Sequence, residues 1–143
     1  MSEKLSGPNN DPKHQVIIAY MVHHLIDHFK KYKKYNNYIA TPELPFGNLI
    51  PDVSVWDIKK NLPDNIFTVF EVCWEKDLKG QLEKVTNILK QNPSVTECFV
   101  LTVDTLKSKK VWRKRNGTPS QPINSTYIDL YKSDFLEVIK RVS

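Results

Sequence analysis

The sequence lacks any long apolar segment. No stretch of its 143 residues approaches the roughly 20 consecutive apolar residues that a membrane-spanning helix needs. The opening residues are polar and lack the basic segment and apolar run of a secretory signal. We therefore expect a cytoplasmic protein with no membrane partner.

Cysteine is also scarce, with two residues in the chain, Cys73 and Cys98. Both fall in apolar, strand-like segments and lack the close spacing of a zinc site. Because disulfides are rare in cytosolic proteins, we expect two reduced, buried thiols. A disulfide between them is the alternative.

Acidic residues are outnumbered by basic ones, 16 against 21, which gives a formal net charge of +5. An excess of this size permits binding to a polyanion, but many ordinary domains share it, so the distribution matters more than the total. A solvated surface is the alternative for each basic cluster. The first cluster comprises Lys30, Lys31, Lys33 and Lys34, and the second surrounds Trp112 with Lys107, Lys109, Lys110, Arg113, Lys114 and Arg115.

The hydrophobic pattern alternates between helical and strand periodicity. Residues 59–65 have the composition of a hairpin turn, so the strands on either side should pair antiparallel. The order α-β-β-β-α-β-β-β-α predicts an α/β (mixed α+β) fold with a central mixed β-sheet flanked by helices. Helices are predicted over 14–35, 76–91 and 133–141, and strands over 38–41, 52–58, 66–74, 95–103, 110–114 and 126–130.

The length is that of one domain, and the sequence contains no internal repeat. Residues 1–12 carry little apolar content and predict a flexible tail, with Pro12 at the first position of the following helix. We therefore predict a single domain over 13–143.

Two carboxylates interrupt the apolar strands. Asp52 opens one strand, and Glu71 lies inside the next, where a carboxylate is costly to bury unless it is paired, hydrogen-bonded or bound to a cation. If the two strands pair, strand twist can bring both acids to one sheet edge, where they would suit Mg²⁺ or Mn²⁺. Alternatively, Glu71 points outward or pairs with Lys76, and Asp52 caps a turn.

Several short motifs occur in an order that resembles a known nuclease superfamily. Pro51-Asp52, then Glu71-Val72 at the end of an apolar strand, then a helix opening with Asp77 resembles the PD-(D/E)XK nucleases. The sequence is most similar to the Uma-type family of predicted restriction endonucleases, which is abundant in cyanobacteria. Further phrases in that family's order are His14-Gln15, Val53-Ser54-Val55, Lys84, and Glu97 before Val103-Asp104.

The resemblance implies a restriction-endonuclease-like core and a metal-dependent phosphodiesterase. Asp52 and Glu71 would bind Mg²⁺ or Mn²⁺, and a lysine would help to activate the attacking water. The superfamily's usual lysine, two residues after the Glu, is replaced by Cys73. The lysine of the following helix is the substitute in Uma-type proteins, and its match here by order is Lys84.

The spacing along the helix does not determine which lysine acts at the site. The distance from Asp77 to Lys84 is about one helical turn longer than the family leads us to expect, a shift of about 5 Å. Gln81 holds the nearer position. Lys76 and Lys79 are therefore alternatives to Lys84, and a solvated lysine face is the simpler interpretation.

Four further residues are accessory candidates. The resemblance places a family histidine at His14, and some nucleases of this superfamily use an acid from the first helix, for which Asp27 is the candidate here. Asp77 and Lys76 open the helix that carries Lys84. The remaining histidines, His23, His24 and His28, lack the Glu of a zinc-protease helix and are predicted to be surface or core residues.

The basic strand around Trp112 would suit a nucleic-acid backbone, with the indole as a stacking surface. In the competing interpretation the strand is a lysine-protected sheet edge.

The sequence thus predicts an endonuclease acting on DNA, for which a homodimer would suit double-strand cutting. The alternative is a catalytically inactive nuclease-fold module that binds nucleic acid or a protein. The nucleic-acid-binding candidates are Lys109, Lys110, Trp112, Arg113, Lys114 and Arg115.

Overall fold

The computed structural model describes residues 12–45, 50–60, 66–105 and 107–125. The predicted tail up to residue 11, the strand over 126–130 and the helix over 133–141 lie outside these residues. The elements in chain order are α1 (Pro12–Lys31), β1 (Tyr38–Pro42), β2 (Val53–Asp57), β3 (Ile66–Cys73), α2 (Leu78–Gln91), β4 (Glu97–Thr102), β5 (Ser108–Trp112) and β6 (Ile123–Asn124).

The described strands form one six-stranded mixed sheet in the order β1-β2-β3-β4-β5-β6. β3 and β4 are parallel, and every other neighbouring pair is antiparallel. Parallel neighbours need a crossover connection, which α2 supplies. The mixed α/β fold is therefore confirmed, as is the antiparallel pairing of β2 with β3.

The sheet is covered on both faces. On one face, α1 packs over β1, β2 and β3 through a cluster that includes Met21, Leu25 and Phe70. On the other, α2 packs over β3 and β4 through a cluster that includes Val69, Val85 and Leu89. β3 is thus buried on both sides, which explains its nearly continuous apolar sequence.

The observed elements differ from the sequence prediction mainly at their ends. α1 begins at Pro12, as predicted, and ends at Lys31, because the chain then turns through a short 3-10 segment, Lys33–Tyr35. A second 3-10 turn, Glu75–Asp77, precedes α2, which therefore starts two residues later than predicted. None of the described helices is long and apolar enough to cross a membrane.

Two glycines provide a matched test of local backbone geometry. A methyl group added at Gly80, in the first turn of α2, or at Gly117, after β5, would meet no atom within 4 Å. Gly117 has φ of 87°, which disfavours any residue with a Cβ, whereas Gly80 is helical. We expect Gly80→Ala to stabilise the protein by about 0.5–1 kcal/mol and Gly117→Ala to destabilise it by about 1–2 kcal/mol.

The measurement is the urea midpoint of each variant at constant m-value. Equal shifts for the two variants would contradict this account, because the space around both sites is the same.

Candidate active site

Asp52 and Glu71 meet at the start of β2. Val53 is the register partner of Phe70, so the next position along places Asp52 opposite Glu71, on the same face of the sheet. The Asp52 amide N–H donates a hydrogen bond to Glu71 Oε2 at 3.2 Å, and the Val72 N–H donates to Asp52 Oδ2 at 2.7 Å. Each acid is thus held by the backbone of the opposite segment, and the two carboxylates converge.

Both carboxylates are nearly excluded from water. Asp52 is 4% exposed and Glu71 is 2% exposed. From α2, the Lys84 ammonium donates to Glu71 Oε1 at 2.7 Å while remaining partly accessible. The geometry therefore places Lys84, rather than Lys76 or Lys79, in contact with the acid pair.

His14 joins the acid pair from the first turn of α1. Its ring is 2% exposed, and Nε2 lies 2.9 Å from the Val72 carbonyl oxygen and 3.4 Å from Asp52 Oδ2. Since both neighbours are acceptors, Nε2 carries the hydrogen. Burial lowers the pKa of His14, but the hydrogen bond and charge of Asp52, with the Val72 carbonyl, outweigh burial and raise it overall.

These groups open into one cleft of about 500 Å³ between the first turns of α1 and α2. The cleft also receives Lys76, which is exposed, and Asp77, which is partly buried. The accessory candidates His14, Lys76 and Asp77 therefore all line it. The full lining is His14, Asp52, Glu71, Val72, Cys73, Trp74, Lys76, Asp77, Gly80, Gln81 and Lys84.

The ionised form of the Glu71 carboxyl is disfavoured in this site. Burial and the neighbouring Asp52 charge raise its pKa from 4.5 to about 7, although Lys84 acts in the opposite direction. One lysine thus incompletely balances two buried acids. The site has a deficit of positive charge beside two carboxylates, which is the environment that a hard divalent cation would relieve.

Cys73 occupies the position of the superfamily's usual lysine but cannot replace it chemically. Burial and the surrounding acids raise the pKa of its thiol to about 12, so it is protonated at neutral pH. A protonated thiol is a poor nucleophile and a poor metal ligand. Cys98 is also a free, buried thiol, as predicted.

Two other candidates lie away from the cleft. The Asp27 carboxylate pairs with His23 Nε2 at 3.2 Å on the exposed side of α1. Thirteen residues separate it from His14, about 20 Å along a helix. Lys79 is exposed and lines a different depression on α2.

The basic segment around Trp112 does not present all its charges to solvent. The Arg113 guanidinium donates to the carbonyl oxygens of Leu89, Asn92, Val95 and Gly117, so it holds the end of α2 against the sheet. Lys114 and Arg115 are exposed in the following turn.

The remaining candidates on β5 have local partners. Lys110 pairs with Glu97 at 3.0 Å and lies over the Phe99 and Trp112 rings. Lys109 donates to Asn124. Trp112 is half-buried.

Gln81 lines the cleft but was not among the predicted site residues, although it holds the position at which the family resemblance leads us to expect a lysine. It lies four residues after Asp77 and three before Lys84, a spacing that places all three side chains on one helix face. That spacing was the available signal in the sequence.

The raised Glu71 pKa predicts a pH-dependent stability. A carboxyl whose pKa is raised on folding contributes stability that is complete below about pH 4.5 and lost as the pH rises through about 7. Glu71→Gln keeps the acceptor oxygen without the charge. Its free energy of unfolding, relative to the parent, should therefore rise by about 1–3 kcal/mol between pH 5 and pH 8 in metal-free buffer. Urea unfolding at both pH values measures this, and a constant difference would contradict it.

Comparisons with known proteins place the fold. The sequence matches no family model and no curated protein. The structure is similar to the crystal structure of a protein described as a putative nuclease belonging to DUF820 from Anabaena variabilis ATCC 29413, with a TM-score of 0.54 and 15% sequence identity. The similarity covers 91% of this chain and 79% of that chain. At this identity the likeness concerns architecture, and the chain has a restriction-endonuclease-like fold.

Proposed function

We propose that this protein is a metal-dependent endonuclease of the Uma type that hydrolyses DNA phosphodiester bonds. The single observation that carries the proposal is the convergence of Asp52, Glu71 and Lys84 in one cleft. The restriction-endonuclease-like architecture and the motif order of the sequence support the same function.

The donor set fits Mg²⁺ or Mn²⁺. Two nearly buried carboxylates lie side by side, and the lysine beside them balances the charge of one. Asp52 and Glu71 would hold the cation. When bound, the ion would lower the pKa of a water molecule and offset charge on the scissile phosphate.

Other residues of the cleft would have the remaining roles in catalysis. Lys84 would orient the attacking water and offset negative charge at the phosphate through its ammonium group. His14, through Nε2–H, fixes the Val72 carbonyl and the Asp52 carboxylate, and so limits movement of the acid pair. Asp77 and Lys76, at the start of α2, line the cleft through which the substrate would approach.

The lysine contact favours an enzyme over the inactive module. A degenerate site could keep the acids for structural reasons while losing the amine. Here the substitution at Cys73 is matched by an amine from α2 at 2.7 Å from Glu71. The active and inactive alternatives therefore differ in whether a divalent cation binds and whether DNA is cut.

We expect Mn²⁺ to stabilise the protein through the acid pair. A cation at 100 times its dissociation constant adds about 2.7 kcal/mol, which raises the Tm of a domain of this size by roughly 5–10 °C. Asp52→Asn should abolish this gain and also Mg²⁺-dependent nicking of supercoiled plasmid DNA. The matched control is Asp27→Asn, which removes an acid outside the cleft and should retain both.

Metal stabilisation with no cleavage on plasmid, linear and single-stranded DNA would favour the binding module. No stabilisation in the parent would contradict the proposed site itself.

We further expect DNA to contact the turn after β5. The double variant Lys114→Ala/Arg115→Ala removes two exposed charges without disturbing the Arg113 contacts. The slope of log affinity against log salt concentration should fall by up to about 2. Fluorescence anisotropy at several salt concentrations measures this slope.

Lys33→Ala/Lys34→Ala is the control, because it removes the same charge from the exposed 3-10 segment that follows α1. An equal loss of affinity in the two double variants would indicate general charge attraction rather than a contact at the β5 turn.

A further inference from the structure

The amide of Gln81 lies among the charged groups of the cleft, and no described residue forms a hydrogen bond with it. Gln81 occupies the second turn of α2, on the same face as Asp77 and Lys84. Helix side chains lean towards the helix N-terminus, which in α2 is the end that borders the cleft. Gln81 lines the cleft together with Asp52 and Glu71.

The oxygen of this amide is buried and unsatisfied. Among the described residues, three buried side-chain polar atoms lack a hydrogen-bond partner: Gln81 Oε1, His14 Nδ1 and Ser108 Oγ. The first two belong to the cleft. His14 forms a hydrogen bond through its other ring nitrogen. Gln81, in contrast, forms no side-chain hydrogen bond to any described residue. Leaving a buried acceptor unpaired costs about 1–3 kcal/mol.

The neighbouring groups in the cleft do not satisfy it. Ionised Asp52 and Glu71 are acceptors and have no hydrogen to donate. Lys84 directs its ammonium group to Glu71. The described residues therefore offer no donor to the amide oxygen, and a donor or a cation from outside them would satisfy it. Hard divalent cations bind amide oxygens alongside carboxylates.

We propose that Gln81 Oε1 is an oxygen ligand of the divalent cation held by Asp52 and Glu71. This inference rests on the proposed metal site and goes further, because it assigns a third, uncharged ligand from α2. It also gives a role to the helix position at which the family resemblance led us to expect a lysine. In this chain the amine has moved to Lys84, and position 81 faces the same cleft with an oxygen.

The test is the Mn²⁺ dissociation constant of the full chain, measured by electron paramagnetic resonance of free Mn²⁺ and by calorimetry. Gln81→Met keeps the length of the side chain but removes the oxygen, and it should weaken Mn²⁺ binding on the order of tenfold. Gln81→Glu replaces the amide by a carboxylate and should tighten binding. Gln91→Met makes the same change at the exposed end of α2 and should leave the constant unchanged.

Thermal unfolding without metal provides a readout that separates ligation from structure. If Gln81 serves the cation, Gln81→Met should be at least as stable as the parent without metal, because it removes an unpaired buried oxygen. A lower Tm without metal, combined with an unchanged dissociation constant, would overturn the inference in favour of a structural role. Weaker binding in Gln81→Glu would also overturn it, because an oxygen ligand should improve with charge.

Failure of this inference can be distinguished from failure of the proposed function. If the parent binds Mn²⁺, Asp52→Asn does not, and Gln81→Met binds as the parent does, the metal site stands and Gln81 is not a ligand. If the parent binds no Mn²⁺, both proposals fail.

Discussion

The site depends on a reciprocal arrangement in which each buried acid is held by an amide N–H of the opposite segment. Asp52 donates its backbone hydrogen to Glu71 and receives at its carboxylate the hydrogen of Val72. If either carboxylate moved away, a buried amide N–H would lose its hydrogen-bond acceptor, which costs free energy. The pairing of β2 with β3, the packing of two helices on opposite faces and the position of Lys84 are all constrained by this arrangement. It also limits the charge that the site can carry, since a single amine, bonded to Glu71, lies beside two acids.

Much of the fold could be predicted from local patterns in the sequence. The apolar run of β3 indicated a strand, and the turn-like composition of 59–65 indicated its antiparallel pairing with β2. Glu71 could be recognised as a candidate because burying an acid within such a strand costs free energy. Its partner was less evident, since Asp52 lies just outside β2 and only the register places it opposite Glu71.

Other features depended on geometry that local patterns do not determine. A 3-10 turn precedes α2, and the helix that follows presents Lys84 to Glu71. The spacing in the sequence alone left Lys76 and Lys79 as alternatives to Lys84. Likewise, Arg113 looked like one more charge on a basic strand, yet it binds carbonyl groups from four separate positions. Long-range contacts of this kind leave no periodic signal in the sequence.

The chain separations within the site bear on the order of folding. Glu71 and Lys84 are 13 residues apart, whereas His14 reaches Val72 across 58 residues. Closing a longer loop costs more entropy, and contacts distant in sequence form more slowly. We therefore expect the strand pair and α2 to assemble first, which brings Lys84 to Glu71. Docking of α1 then brings His14 to Asp52 and completes the apolar cluster on the opposite face, so the last polar contacts of the site form late in folding.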